Sequence, residues 1–142
     1  MPDHDADFYE WANGQAALLR AGRLGETDIG HIAEEIESMG RSEKRVLFSR
    51  LEVLLVHLLK GLVQPDLRST SRRLPIKDER NRLRFHLEDN PSLGPMLEAA
   101  YGQAYRRAVR SAQRETGLAA SAFPAVNPWS AAEAMDEALY PA

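Results

Sequence analysis

The segment from Ser42 to Gln64 is the most apolar part of the chain, and it constrains the fold more than any other stretch. On a helical wheel at about 100° per residue, leucines cover one broad side and a narrow polar strip lies opposite. A helix with so wide an apolar arc is buried by several neighbours. The segment is therefore predicted to lie at the centre of a helical bundle. Its polar strip consists of Arg50, His57, Lys60 and Gln64, and its apolar side of Leu47, Leu51, Leu54, Leu55, Leu58, Leu59 and Leu62, extended by Val56 and Val63.

Length and composition favour one globular domain. The chain has 142 residues, 44% of them apolar and 27% charged, within the usual range for a single soluble domain. We expect one domain over residues 1–142, with a core at about 5–117 and a C-terminal extension, 118–142, packed on it. Cysteine is absent. Its absence excludes disulfides, thiolate catalysis and cysteine-based metal sites.

No segment of the sequence has the features of a signal peptide or a membrane span. The N-terminal run MPDHDADFYEW is acidic and lacks a basic region followed by an apolar stretch. Lys60 and Gly61 interrupt the longest apolar run, which stays well short of about 20 residues. We expect a cytoplasmic protein without membrane contact.

The formal net charge of −3 conceals an uneven distribution. Residues 1–40 carry a net charge of −7, residues 41–115 carry +7, and residues 116–142 carry −3. A basic surface of this kind sometimes binds nucleic acid. We favour the docking of acidic helices on basic ones within one domain, because the total charge is close to neutral.

Capping and stop signals divide the first half of the chain into three helices. The first is capped by Asp5 or Asp7 and ends near Arg20, before the turn at 21–22. The second starts at residue 27 or 28 and ends at a turn made by Gly40. Ser42 caps the third, which ends at Pro65 because the residue before a proline disfavours the helical conformation. The second helix carries an apolar stripe of Ile29, Ile32, Ala33, Ile36 and Met39.

Three further helices are predicted in the second half. A polar connector over residues 66–75 precedes a fourth helix, Ile76 to Leu87, whose thin apolar stripe has Arg80 on the same side. Ser92 caps a fifth helix that stops at Gly117. In the tail, the capping box of residues 130 and 133 opens a short helix that ends near residue 140. Phe123 and Trp129 are expected to hold this tail on the bundle. The predicted fold is thus an all-α, up-and-down bundle of five main helices plus a short C-terminal one.

Several stretches resemble one bacterial family, known as domain of unknown function twenty-nine and common in cyanobacteria and proteobacteria. They are EEIESMGRSEKRVLFSRLEVLLVHLLKGLVQPDLRS, the opening DFYEWANGQAALLRAGRL, the PSL at Pro91 to Leu93, and ETGLAASAFP. The resemblance implies a small helical protein and no particular activity. This sequence departs from the family pattern near Gly61 and Arg72, where the family carries aromatic residues, so a site built on those aromatics would be missing here.

A polar face on the predicted second helix is the first candidate site, and its residue types suit a metal ion. His31 lies three and four residues before Glu34 and Glu35, so the three side chains share a face. A di-metal bundle site needs a Glu-x-x-His pair on each of two helices, and the sequence contains no such pair. We interpret the face as solvated acidic surface, with metal binding as the weaker alternative, and we expect no cofactor.

The polar strip of the central helix is a second candidate. His57 and Lys60, one turn apart on a mostly buried helix, could orient an anionic ligand or act as acid and base, together with Glu34 or Glu35. The simpler interpretation is that carboxylates of neighbouring helices satisfy these groups, because buried charges need partners. Glu10 and residues 34–37 are the expected partners.

An arginine-rich segment is the third candidate. Residues 68–84 contain seven cations and two acids, which suits the neutralisation of phosphates. Only one aromatic lies beside the segment, so base stacking is poorly served, and no nucleic-acid-binding motif is visible. The candidate ligand or nucleic-acid residues are Arg68, Arg72, Arg73, Arg80 and Arg84.

These patterns favour a non-enzymatic protein-interaction or regulatory module, with an unidentified protein or a second copy of the chain as partner. We do not expect nucleic acid to be the main partner. The alternatives are a binder of a small anionic ligand, an enzyme with a His/Lys/Glu site between helices, and nucleic-acid binding through residues 68–84. No catalytic signature is present that would assign a reaction.

Overall fold

The structure is a computed structural model that describes residues 2–64 and 70–141, with residues 70–72 described by their backbone alone. All regular secondary structure within these ranges is helical, which confirms the predicted all-α class. No helix in the described part of the chain is long and apolar enough to cross a membrane. The described α-helices are α1 (Phe8–Arg20), α2 (Ile29–Val63), α3 (Thr70–Asp89), α4 (Leu97–Thr116) and α5 (Ala131–Met135).

The chain divides into two compact units, residues 1–42 and residues 43–142. The helix α2 runs through the boundary between them. The single domain and the up-and-down order of helices stay predictions.

The first unit contains α1 and the beginning of α2. The carboxylate of Asp7 accepts a hydrogen bond from the backbone N–H of Glu10 at 3.1 Å, so Asp7 is the helix cap. At the other end Gly22 has a φ of +74°, a conformation that favours glycine. Both the predicted start and the predicted stop of α1 are therefore confirmed. Trp11 and Gln15 are its buried side chains.

The apolar stripe predicted along the second helix is exposed. Ile29, Ile36 and Met39 are 68%, 63% and 68% exposed. Residues of α1 and of the turn before it contact the beginning of α2 on a different side, where Asp28 and Glu35 accept their hydrogen bonds. Polar contacts, rather than burial of the stripe, hold the first unit together at this end.

The predicted turn at Gly40 is wrong, because α2 is one continuous helix of 35 residues. Glycine in a helix interior costs only about 1 kcal/mol relative to alanine, and good helix formers surround this position. The hydroxyl of Ser42 donates to the carbonyl of Ser38 at 3.0 Å, one turn back, instead of capping a new helix. The second and third predicted helices are therefore one helix.

The core of the second unit confirms the burial predicted for the apolar side of α2. Six leucines of this helix are at most 1% exposed. They pack in one cluster with side chains from α3, α4 and the C-terminal segment, which comprises residues 118–141. The six are Leu47, Leu51, Leu54, Leu55, Leu58 and Leu59, and the same cluster includes Ile76, Leu83, Leu93, Tyr101, Ala104, Tyr105, Ala108 and Ala112.

Two helix starts differ from the prediction. The helix α3 begins at Thr70 and contains Pro75, although a proline disfavours the helical conformation of the residue before it. Part of the predicted connector is thus helical, and residues 65–69 lie outside the described residues. After α3, residues Pro91–Met96 form a 3₁₀ segment, which two prolines favour over an α-helix. The helix α4 consequently starts at Leu97 and Ser92 is not its cap, but the predicted stop at Gly117 is confirmed.

The C-terminal segment contributes side chains to the core of the second unit. Phe123 and Trp129 are buried, and the capping box of Ser130 with Glu133 has both of its hydrogen bonds. The helix α5 ends at Met135, before the predicted end near residue 140. The hydroxyl of Tyr101 donates to the carbonyl of Trp129 at 2.8 Å. Burial raises the pKa of Tyr101 to about 12, so the hydroxyl stays a neutral donor.

The continuity of α2 at Gly40 can be tested by substitution. A Cβ at this position would meet nothing within 4 Å, and the backbone φ there is not positive. We expect Gly40→Ala to raise the free energy of unfolding by about 0.5–1 kcal/mol, because alanine restricts the unfolded chain more than glycine does. The measurement is urea unfolding followed by circular dichroism.

The matched control is Gly117→Ala. A Cβ there also meets nothing within 4 Å, but the φ of +73° strains any residue with a side chain. This variant should lower the free energy of unfolding by about 1 kcal/mol. If Gly40→Ala were destabilising to a similar degree, Gly40 would adopt a turn conformation and a continuous α2 would be wrong.

Candidate functional site

Two groups of polar side chains stand out, one in each unit. The first lies where the turn before α1 meets the beginning of α2. The turn supplies His4 and Asp5, and α2 supplies His31 and Glu35, which share a face because they are four residues apart. Asp28, just before α2, completes the group. We call these five residues the histidine cluster.

Hydrogen bonds connect the histidine cluster. The Nδ1 atom of His4 lies 2.8 Å from a carboxylate oxygen of Asp5, and its Nε2 atom lies 2.7 Å from one of Glu35. The Nδ1 atom of His31 lies 2.7 Å from a carboxylate oxygen of Asp28. The two imidazole rings are stacked, with centroids 4.3 Å apart and planes at 7°. Each histidine thus has a carboxylate partner, which is distant in the chain for His4 and three residues away for His31.

These contacts change the acidity of the groups involved. The hydrogen bond to Glu35, followed by that to Asp5, raises the pKa of His4. The hydrogen bond to Asp28 raises the pKa of His31, and the same bond lowers the pKa of Asp28. Opposite charges at hydrogen-bond distance favour the charged form of both partners.

The buried residues of α1 hold Asp28 in place. The indole Nε1 of Trp11 donates to its carboxylate at 3.1 Å. The side-chain oxygen of Gln15 accepts from its backbone N–H at 2.7 Å. Trp11 and Gln15 are each 3% exposed, so these bonds come from rigid positions.

The second group surrounds Arg80 on α3. This side chain is 1% exposed, and its guanidinium reaches the C-terminal segment. Nε donates to the carbonyl of Ala134 and Nη2 to the carbonyl of Leu139, both at 2.7 Å. Nη1 is buried and has no hydrogen-bond partner among the described residues, although the guanidinium as a whole also interacts with the side chain of Tyr140 by hydrogen bonding. Burial lowers the pKa of Arg80, but an arginine guanidinium keeps its charge in proteins.

A cavity of about 160 Å³ adjoins this guanidinium. Its lining consists of Lys77, Arg80, Asn81, Glu137 and Tyr140. For comparison, an engineered protein cavity of about 150 Å³ holds one benzene molecule. The space therefore suits a ligand of a few heavy atoms. We call it the Arg80 cavity.

Two further arginines contact residues that line this cavity. The guanidinium carbon of Arg73 is 4.7 Å from the centroid of the Tyr140 ring, and that of Arg80 is 5.3 Å from it. Nη2 of Arg84 lies 2.8 Å from a carboxylate oxygen of Glu137. Positive charges thus outnumber the nearby carboxylates, which are Glu137 in the lining and Asp136 close to Arg80.

The sequence match decides the family. A family model described as "Domain of unknown function DUF29" matches residues 4–140. The chain belongs to this family. No curated protein matches the chain, and no solved structure matches it. The resemblance seen in the sequence is confirmed, and the family description assigns no activity.

In this DUF29 protein, only two of the three residues predicted as weak metal candidates belong to the histidine cluster. His31 and Glu35 belong to the histidine cluster, whereas Glu34 is exposed and makes none of its hydrogen bonds described above. The sequence interpretation missed His4, Asp5 and Asp28. Of these, only Asp28 could have been found from local sequence, because a residue three positions before His31 lies near it on a helix.

Three of the five predicted arginine candidates lie close together, and the side chains of the other two are not described by the structure. Arg73, Arg80 and Arg84 come together at the Arg80 cavity. Arg68 and the side chain of Arg72 lie outside the described residues. Because Arg80 is buried and Arg84 is in an ion pair, these two do not form a free basic face. Nucleic-acid binding stays a prediction.

The polar strip of α2 is paired within the second unit. Nζ of Lys60 lies 2.9 Å from a carboxylate oxygen of Glu115, and Nη1 of Arg50 lies 3.3 Å from one of Glu79. The carboxylate partners come from α4 and α3, and not from Glu10 or residues 34–37 as expected. Neither His57 nor Lys60 lines the Arg80 cavity. Catalysis by this pair stays a prediction.

The structural role of Arg80 is open to a stability test. Arg80→Met removes both donors to the C-terminal segment and leaves two carbonyls without them. We expect the free energy of unfolding to fall by about 2–4 kcal/mol, because an unsatisfied buried polar group costs about 1–3 kcal/mol. Thermal and urea unfolding measure the change.

Arg82→Met is the matched control on the same helix. Arg82 is exposed, and its nearest carboxylate contact, to Glu79, is long at 3.9 Å. We expect this control to stay within about 0.5 kcal/mol of wild type. Equal losses in the two variants would contradict a special role for Arg80.

Proposed function

We propose that this DUF29 protein is a non-enzymatic regulatory module that binds a small anionic ligand in the Arg80 cavity. One observation carries the proposal. The guanidinium of Arg80 is 1% exposed, lines a cavity, and has one nitrogen, Nη1, without a hydrogen-bond partner among the described residues. A buried charged donor needs an acceptor, since leaving one unsatisfied is costly.

The charge of the lining favours an anion as that acceptor. Lys77 and Arg80 both line the cavity, and the one lining carboxylate, Glu137, is already in an ion pair with Arg84. A neutral acceptor would satisfy the hydrogen bond but would add nothing to the charge compensation that Asp136 and Glu137 already give the guanidinium. An anion does both, and charge-assisted hydrogen bonds are about twice as strong as neutral ones.

Size and donor geometry narrow the ligand class. A cavity of about 160 Å³ holds a phosphate, a sulfate or a small carboxylate with a few further atoms. The donors around it are the Nη1 of Arg80, the ammonium of Lys77 and the side-chain amide of Asn81. Tetrahedral oxyanions such as phosphate accept from several directions at once, so they fit these donors best.

A regulatory role follows from the other contacts of Arg80. The same guanidinium holds the C-terminal segment through the carbonyls of Ala134 and Leu139. A ligand at Nη1 would therefore strengthen the attachment of this segment to α3. Binding would change the stability of a surface segment, which a protein partner can recognise. No reaction is needed for this role.

The proposal predicts saturable binding of inorganic phosphate to the full chain. We expect a single site in calorimetry at low ionic strength, with matching chemical-shift changes for the amides near Arg80. Lys77→Gln removes one charge-assisted hydrogen bond of about 1.5–3 kcal/mol, so binding should weaken about tenfold or more.

Arg82→Gln provides the control for net charge. It changes the charge by the same amount on the same helix, at an exposed residue outside the cavity lining. Its phosphate affinity should stay within about twofold of wild type, because exposed charges are screened. Equal weakening by the two variants, or no saturable binding of either phosphate or sulfate, would overturn the proposal.

A further inference from the structure

The histidine cluster brings two imidazoles and a carboxylate close together. We propose that His4, Asp5 and His31 bind one divalent transition-metal ion of the Zn²⁺ class. The site lies within the first unit, and the inference is independent of the proposed function, which concerns the second unit.

The three residues offer donor atoms that a single ion could share. One ligand atom from each of His4, Asp5 and His31 can be chosen so that all three lie within 4.8 Å of one another. Two donors bound to one zinc ion at about 2.0–2.1 Å are separated by about 3.0–3.4 Å. The Nδ1 atom of His4 and the carboxylate oxygen of Asp5, 2.8 Å apart, are already close to that spacing.

Metal binding would need a closure of the donors and the rotation of one imidazole out of the stacked arrangement, because each nitrogen lone pair lies in the plane of its ring and the two planes are nearly parallel. The donor separations, 4.8 Å or less, exceed the bound spacing by no more than about 1.4–1.8 Å. Asp5 lies in the turn before α1, and its side chain is 82% exposed, so the aspartate can approach the histidines without disturbing a core. His31 is fixed on the first turns of α2.

Two further carboxylates orient the imidazoles as outer partners do in metal sites. Glu35 binds the Nε2 atom of His4 at 2.7 Å, which leaves Nδ1 on the side of Asp5. Asp28 binds the Nδ1 atom of His31 at 2.7 Å, which leaves Nε2 as the donor of that ring. A histidine that ligates a metal almost always donates its other ring N–H to a carboxylate, a carbonyl or water. Both histidines meet this condition with a carboxylate.

Buried residues of α1 in turn hold the outer carboxylate Asp28 in place. Asp28 receives the indole N–H of Trp11 at 3.1 Å and donates its own backbone N–H to Gln15 at 2.7 Å. Trp11 also packs its ring edge-on against His4, with centroids 4.6 Å apart. Ligands held by locked supporting residues lose little freedom on binding, which raises affinity.

The donor types select the class of ion. Two imidazoles and one carboxylate suit Zn²⁺, Co²⁺ and Ni²⁺, whereas Mg²⁺ and Ca²⁺ prefer sites made of oxygen donors alone. Three protein ligands leave at least one coordination position for water. A bound ion would join the turn before α1 to the first turns of α2.

The test is a titration of the untagged, chelator-treated full chain with Zn²⁺, repeated with Co²⁺, whose visible absorption reports histidine and carboxylate coordination. Wild type should bind one equivalent. His4→Gln and His31→Gln should each lower the affinity at least about 100-fold, because each removes a ligand, and Glu35→Gln should lower it about 10–100-fold as an outer partner.

His86→Gln is the matched control. His86 lies in the second unit, where its Nε2 atom contacts the backbone carbonyl of Glu43 at 2.8 Å. Its loss should leave metal affinity unchanged, and circular dichroism should show native helix content in every variant. The proposal would be overturned if wild type bound less than one equivalent, or if His86→Gln weakened binding as much as His31→Gln.

Discussion

The leucine-rich side of α2 has to be removed from water, and the second unit is arranged around this requirement. Burying one leucine side chain is worth about 1.5–3 kcal/mol, and six leucines of this helix are at most 1% exposed. The helices α3 and α4 supply part of the cover. The C-terminal segment supplies the rest, through Phe123 and Trp129. Arg80 lies inside this cover, and the C-terminal carbonyls are the acceptors that make its burial tolerable.

The sequence was sufficient to predict the features that depend on local pattern. The caps at Asp7 and Ser130, the stop at Gly117 and the buried leucines all follow from short-range rules. The break at Gly40 was wrong because a propensity difference of about 1 kcal/mol is too small to end a helix between good helix formers. The polar composition of residues 66–75 misled the prediction of α3 in the same way, since part of this polar stretch belongs to the helix.

The candidate sites were harder to predict because their contacts join distant parts of the chain. His4 meets Glu35 across 31 positions, and Arg80 meets Ala134 across 54. No periodic pattern encodes such pairs. Composition nevertheless contained a trace of both sites. The acidic stretch 1–40 nearly coincides with the first unit, which holds the site proposed for a cation. The basic stretch 41–115 falls in the second unit, which holds the site proposed for an anion.

The positions of the tryptophans give each unit its own optical reporter. The chain has two of them. Trp11 is buried in the first unit beside Asp28, and Trp129 is buried in the second among core side chains. Indole emission shifts to longer wavelength when a buried ring enters water. A variant that keeps only one tryptophan therefore reports the unfolding of one unit, and two such variants would reveal whether the units unfold together.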